Sequence, residues 1–256
     1  MHDVHCHIHE TPATLASAFD GDTVYCVQAT RYTDWSSVAQ LKEEHGDRVV
    51  AAFGIHPWFA DRVESGMIPG SWASELRLLV RQHGGIVGEC GLDKAARSPA
   101  TGKLYALEPQ VAVLKAQLAI AHELGVPVSV HCVRAFGLLA DVLREAAALP
   151  PRIMLHSYSG SPEMLRQLFL KGELGARVYV SFSHAVNARS PEKTRLSIKA
   201  TPSSRLLVES DLHDASAAPL ALSRAVDMVA EANGWEPDEA CRQLAENARA
   251  FFGVLN

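Results

Sequence analysis

Eight short apolar, β-rich runs recur along this chain, at 1–5, 24–30, 49–56, 86–92, 126–132, 153–157, 178–184 and 206–211. Most are apolar almost without interruption, the pattern of strands buried on both faces. Between them lie stretches with helical period, at 36–44, 72–83, 107–124, 137–147, 162–170 and 220–233, with less regular ones at 13–19 and 192–199 and a last helix at 237–252. Ser161-Pro162 suits a helix N-cap and first helical position, and Gly125-Val126-Pro127 stops one helix before the next strand. Strand–helix alternation of this kind implies a parallel sheet. Eight units in 256 residues match the roughly 250 residues of a closed barrel. The expectation is an α/β fold, a TIM-type (β/α)8 barrel, in a single domain spanning 1–256. No GxGxxG follows the first run, which argues against a dinucleotide-binding sheet.

In such a barrel the chemistry sits at the C-terminal ends of the strands. The first run ends Asp3-Val4-His5-Cys6-His7, and residues two apart share a strand face, so His5 and His7 point together while Cys6 points to the helices. The fourth run ends Gly88-Glu89-Cys90-Gly91-Leu92-Asp93, the fifth Val130-His131-Cys132, the sixth Leu155-His156-Ser157 and the eighth Glu209-Ser210-Asp211. Any one histidine here also reads as a satisfied core residue. Glu89 and Asp211 are harder to place that way, because carboxylates at buried strand tips need partners. Histidines and carboxylates at the same end of five strands form a conjunction that chance explains poorly.

Four imidazoles (His5, His7, His131, His156) and two carboxylates (Glu89, Asp211) make a nitrogen- and oxygen-rich divalent site. Six ligands exceed the four of a closed structural zinc site. They suit two ions about 3.5–4 Å apart with a bridging carboxylate, an arrangement that activates water and clamps attacking and leaving oxygens. Hydrolysis is the expected chemistry.

These segments resemble the TatD-type metal-dependent deoxyribonucleases of the amidohydrolase superfamily. The motifs that carry the resemblance are DVHCH (3–7), GIHPW (54–58), GECGLD (88–93), VHC (130–132), LHSYSGS (155–161), LLVESD (206–211) and NARAFFG (247–253), in order along nearly the whole chain. The DKAAR stretch after the fourth run is similar to a fungal branch of the Cut9-interacting type. The resemblance implies a barrel that cleaves phosphodiester bonds in DNA with two divalent ions (Mg2+, Mn2+ or Zn2+), as an exonuclease on single-stranded or 3′-ended substrate. By motif, His5, His7, Glu89 and Asp211 hold one ion and Glu89, His131 and His156 the other. Glu89 bridges, and Asp211 orients or deprotonates the attacking water, so Asp211 and Glu89 are the catalytic candidates. Asp3 is expected behind His5 as a bracing partner. Two departures stand out. Arg134 lies three residues past His131 rather than two, and no proline follows Asp211.

Candidate substrate contacts are His56, Lys94, Arg97, Arg134, Ser159, His184 and His213, all at or just past strand ends, with Trp58, Tyr158 and Phe182 as aromatic candidates for base stacking. Solvated loops and core packing are the alternative readings for each. The net charge of −5 excludes a basic protein that coats nucleic acid by counterion release, but not an enzyme that holds phosphate through metal. Five cysteines without a CxxC pair, and an N-terminus lacking a basic and apolar leader pattern, point to a reduced cytoplasmic compartment, or a nuclear one in a eukaryote. Two other functions remain open. The same metal site can serve an amide, lactone or phosphotriester, and the barrel can act as a protein-binding partner, with or without nuclease activity.

Overall fold

The computed structural model describes residues 1–253. Each apolar run coincides with a strand to within a few residues at either end: β1 (His2–Cys6), β2 (Val24–Gln28), β3 (Val49–Phe53), β4 (Ile86–Asp93), β5 (Val128–Val133), β6 (Ile153–Leu155), β7 (Val178–Ser183) and β8 (Leu206–Glu209). They form one sheet in sequence order, and every pair is parallel. The β8–β1 seam is joined just past the strand tips. There the Asp211 N–H donates to the His5 carbonyl at 3.1 Å and the His7 N–H to the Leu212 carbonyl at 2.8 Å. Below them the Asp3 carboxylate accepts the Ser210 N–H at 2.9 Å. The result is the expected TIM-type barrel.

Most of the strands stop one to three residues earlier than their apolar runs. The residues left over, among them His56, Ser157 and Asp211, are those that turn into the barrel mouth. Ser157 (φ +40°) and Asp211 (φ +56°) take left-handed backbone there, a conformation that costs non-glycine residues energy and clusters at functional sites. In β1 the register on β2 shifts by one residue between Asp3 and Cys6. Val4 therefore packs into an apolar layer with Cys26, Ala52, Met154, Tyr179 and Leu207, closed by Phe251 and Phe252 of the last helix. The polar residues of the site lie at the other end of the same strands.

The outer helices are Trp35–His45, Trp72–His83, Leu107–Leu124, Phe136–Glu145, Pro191–Ala200, Ala218–Asn233 and Pro237–Phe252. Two stretches expected as helices break up. Residues 13–19 form only short turns, and the helix from Pro162 widens over Leu165–Phe169. A helix at Gly172–Arg177 had no clear periodic signal.

Two buried glutamines on the Leu107–Leu124 helix, seven residues apart and so on one face, replace ladder partners that the sheet lacks at the strand ends. Gln117 accepts the Ile55 N–H at 2.8 Å and donates to the Ile55 carbonyl at 3.1 Å. Gln110 does the same for Asp93, at 2.7 and 3.1 Å. They fix the exit of β3, which leads into His56, and the exit of β4, the strand that carries Glu89. Gly91 performs a different task, since a Cβ there would lie 2.0 Å from the His131 carbonyl at a φ of +149°. Replacing Gln117 with Leu leaves two buried backbone groups unpaired, at roughly 1–3 kcal/mol each. The Gln117→Leu variant is expected to melt several degrees lower, by calorimetry. An unchanged melting temperature would show that the pairing adds nothing.

Candidate metal centre

At the mouth, Glu89 is 3% exposed, and its two oxygens face different histidines. Oε2 lies 3.4 Å from His5 Nε2 and 3.5 Å from His7 Nε2. Oε1 lies 2.9 Å from both His131 Nδ1 and His156 Nε2. Asp211 Oδ1 joins the first group, 3.9 Å from His5 Nε2 and 3.7 Å from His7 Nε2. The six residues singled out from the sequence thus converge, and they divide into two sets that share one carboxylate.

The outer ring nitrogens show which atoms face inward. His7 Nδ1 lies 3.1 Å from the Gln28 carbonyl, which only accepts, so Nδ1 carries the proton and Nε2 a lone pair. His156 Nδ1 lies 3.3 Å from Glu209 Oε1 and is fixed the same way. His5 Nδ1 lies 3.0 Å from the Ser129 hydroxyl. The inward nitrogens then crowd one another, with His5 and His7 Nε2 3.3 Å apart and His131 Nδ1 3.1 Å from His156 Nε2. Lone pairs and carboxylate oxygens at such spacing repel unless a cation or protons lie among them. This donor set fits divalent ions.

Protons supply the compensation in the absence of metal. Burial pulls His7 down, but the Asp211 hydrogen bond and the charge of Glu89 outweigh it and raise His7 to about 9. His156 is also raised well above its ordinary value, burial being outweighed by Glu89 and Glu209. Burial opposes ionisation of Glu89 and Asp211, yet the surrounding imidazoles hold both well below the usual carboxylate range.

His56 plays a different part. Its Nδ1 accepts the Trp58 N–H at 3.2 Å, so Nε2 is the donor, and that atom lies 3.3 Å from Glu89 Oε1. Burial lowers His56 to about 4 and keeps it neutral. It is placed as a hydrogen-bond donor to the shared carboxylate. Asp3 stands behind His5 and acts on its backbone, not on its ring. Its carboxylate accepts the backbone N–H groups of His5 and Ser210, while burial raises it to about 7.

Three residues that the sequence reading missed hold the site together. Glu209, fully buried, accepts from His156 and from the hydroxyls of Ser157 (2.6 Å) and Ser181. Ser157 also donates to Asp211 Oδ2 at 3.1 Å. Asp93 accepts the Trp58 indole N–H at 2.8 Å and lies 3.5 Å from His131 Nε2. A carboxylate closing the apolar run Leu206-Leu207-Val208 was the available signal for Glu209. A second cluster, His9, Glu10 and Asp34, is already served by Arg31, whose guanidinium lies 3.2 Å from each carboxylate.

A cavity of about 560 Å³ opens over the centre, lined by Trp58, Phe59, Arg31, Arg189 and His213, among others, as well as by the site residues. His56 and His213 stand in it as expected, His213 with Nδ1 2.9 Å from Glu10 and its ring stacked on His7. Lys94, Arg97, Arg134 and Ser159 stand outside its lining. Lys94 and Arg97 leave on an exposed loop, where Arg97 bonds the Gly102 carbonyl. Arg134 sits exposed at a left-handed turn, and the Ser159 carbonyl receives Lys193. His184 was expected at the mouth. Instead it starts a helical turn after β7 and lines a separate cavity of about 530 Å³ beside the helices Pro191–Ala200 and Ala218–Asn233. Of the aromatic candidates, Tyr158 and Phe182 are buried in the core, whereas Trp58 is 43% exposed.

Because Glu209 fixes the His156 tautomer, Glu209→Gln is expected to weaken divalent-metal affinity about 10- to 100-fold, read by metal titration. Unchanged affinity would remove Glu209 from the site.

With the geometry in hand, comparison with known proteins is direct. The family model described as TatD related DNase matches residues 2–253. The chain is 28% identical to the Cut9-interacting protein scn1 of Schizosaccharomyces pombe, over 98% of each chain. It is 27% identical to the 3'-5' ssDNA/RNA exonuclease TatD of Pantoea ananatis, over 92% of this chain and 90% of that one. Among solved structures, YJJV, a TatD homolog from Escherichia coli K12, superposes with a TM-score of 0.80 at 25% identity, covering 99% of this chain and 98% of that one. The chain belongs to the TatD related DNase family.

Proposed function

We propose that this protein is a metal-dependent phosphodiesterase that removes nucleotides from the ends of single-stranded DNA. One observation carries the reading: Glu89 divides four inward-facing histidines between its two oxygens, with Asp211 beside one pair. That is the donor arrangement for two divalent ions sharing a carboxylate. His5, His7, Glu89 and Asp211 would hold one, and Glu89, His131 and His156 the other. Bound there, such ions supply Lewis acidity and a water of lowered pKa.

The chain's own residues do the rest. Asp211, beside the first set, is placed to orient the attacking water and take its proton. His56 steadies Glu89 through Nε2–H. Trp58, held by its indole N–H on Asp93, offers an exposed ring for a terminal base. The bacterial relatives named as 3'-5' ssDNA/RNA exonucleases support a single-stranded substrate and 3′ polarity. A carboxylate rather than a lysine on β4, at Glu89, disfavours the lactone and phosphotriester branches of the superfamily. A protein partner of the kind in the name of the Schizosaccharomyces pombe relative would use surface outside the mouth. The Asp211→Asn chain should then co-purify with the same partner as wild type, and selective loss of that partner would place the contact at the mouth instead.

With Mg2+ or Mn2+, the purified protein is expected to shorten a 3′-free single-stranded oligonucleotide. Asp211→Asn should reduce the rate by about 10²–10⁴-fold, the usual scale for a lost general base. Equal rates for the two proteins, or turnover only of lactones and phosphotriesters in a parallel panel, would overturn the assignment.

A further inference from the structure

The cavity over the metal centre reaches from the end of β3, which leads into Trp58 and Phe59, to the end of β7, which leads into Arg189. In a ring of eight strands in sequence order, β3 and β7 stand on opposite sides. A ligand that fills this space therefore meets an aromatic platform at one end and a guanidinium at the other, with Glu89 and its histidines between.

The two arginines of the lining are not equivalent. Arg31 is bound on both sides by Glu10 and Asp34. Arg189 is exposed and, among the described residues, has neither a carboxylate partner nor a hydrogen bond. Its backbone is nonetheless well placed. Asn187 accepts the Ser183 N–H at 2.9 Å and donates to the Tyr158 carbonyl at 2.8 Å. Its own carbonyl accepts the Thr194 hydroxyl at 2.8 Å and the Ser190 N–H at 3.2 Å. An unpaired cation on a braced turn, facing a cavity whose floor is tied to anionic and metal-binding groups, is suited to an anion that the floor does not itself hold.

We propose that Arg189 binds a second, non-scissile phosphate of the nucleic acid strand, one linkage away from the bond cut at the metal centre, while Trp58 carries the terminal base on the opposite side. This rests on the phosphodiester reading and adds to it a minimum substrate: two phosphates rather than one. A guanidinium suits this role because its planar fork pairs with phosphate oxygens in two places. The chain's acidic net charge makes such a local contact more important, since the field of the whole protein does not draw a polyanion in.

The test measures binding separately from turnover. In the Asp211→Asn background, loaded with Mn2+, a fluorescent single-stranded dT decamer and a labelled thymidine mononucleotide are titrated by anisotropy at several salt concentrations. Arg189→Ala is expected to weaken decamer binding roughly tenfold. It should also reduce the slope of log affinity against log salt by about 0.7, the contribution of one phosphate on a single strand. Mononucleotide binding should not change. Arg189→Lys should restore the slope but only part of the affinity, and Arg81→Ala, a change on a helix end remote from the mouth, should match the parent. An unchanged salt slope in Arg189→Ala, or equal weakening for decamer and mononucleotide, overturns the proposal. Failure of the parent to bind the decamer overturns both this proposal and the phosphodiester reading. Arg189-dependent binding without cleavage by the wild-type protein overturns only the latter.

Discussion

The burial of Glu89 is the constraint around which the mouth of the barrel is arranged. An ionised carboxylate taken out of water costs far more than a protein can leave uncompensated. Here five imidazoles surround it, and each directs a ring nitrogen toward one of its two oxygens. Neither partner is stable in that position alone. The carboxylate requires positive charge, and the crowded ring nitrogens require protons or cations between them. A divalent metal answers both demands, which is why the same geometry that is strained as a set of neutral side chains is reasonable as a ligand cage.

Rigidity comes from the layer behind the ligands. The far nitrogens of His5, His7 and His156 rest on Ser129, the Gln28 carbonyl and Glu209, and His56 receives the Trp58 N–H. The Gln28 carbonyl, Glu209 and the Trp58 N–H choose the tautomers of His7, His156 and His56, and all four contacts lock the ring planes, so little reorganisation remains when a ligand arrives. Gln110 and Gln117 extend the same logic to the backbone by pairing the strand ends from a helix. The apolar layer with Phe251 and Phe252 supports the opposite end of the barrel.

Much of the architecture and the central cluster of histidines and carboxylates was legible in the sequence. Period-two alternation places His5 with His7, because successive side chains on a strand point to opposite faces. The eight apolar runs located all eight strands, and their ends located the mouth. What sequence reasoning misjudged lay past those ends. His184 was expected in the mouth, but the helical turn that begins there carries it to a lateral cavity, and Arg189, with no motif to mark it, reaches the mouth instead. Lys94, Arg97 and Arg134 sit close to ligands in sequence yet point away, because an excursion of the chain after β4 and a left-handed turn after β5 redirect them.

The sequence alone determined which residues stand at the same end of the strands, since strand period and apolar run length are local properties. The tertiary structure decided which of those residues touch. Ser129 meets His5 across 124 positions and Glu209 meets His156 across 53, contacts that depend on barrel closure and strand register. No local pattern encodes either one, because the first arises only when the sheet has curled to bring β1 across from β5, and the second only when β6, β7 and β8 have paired in register.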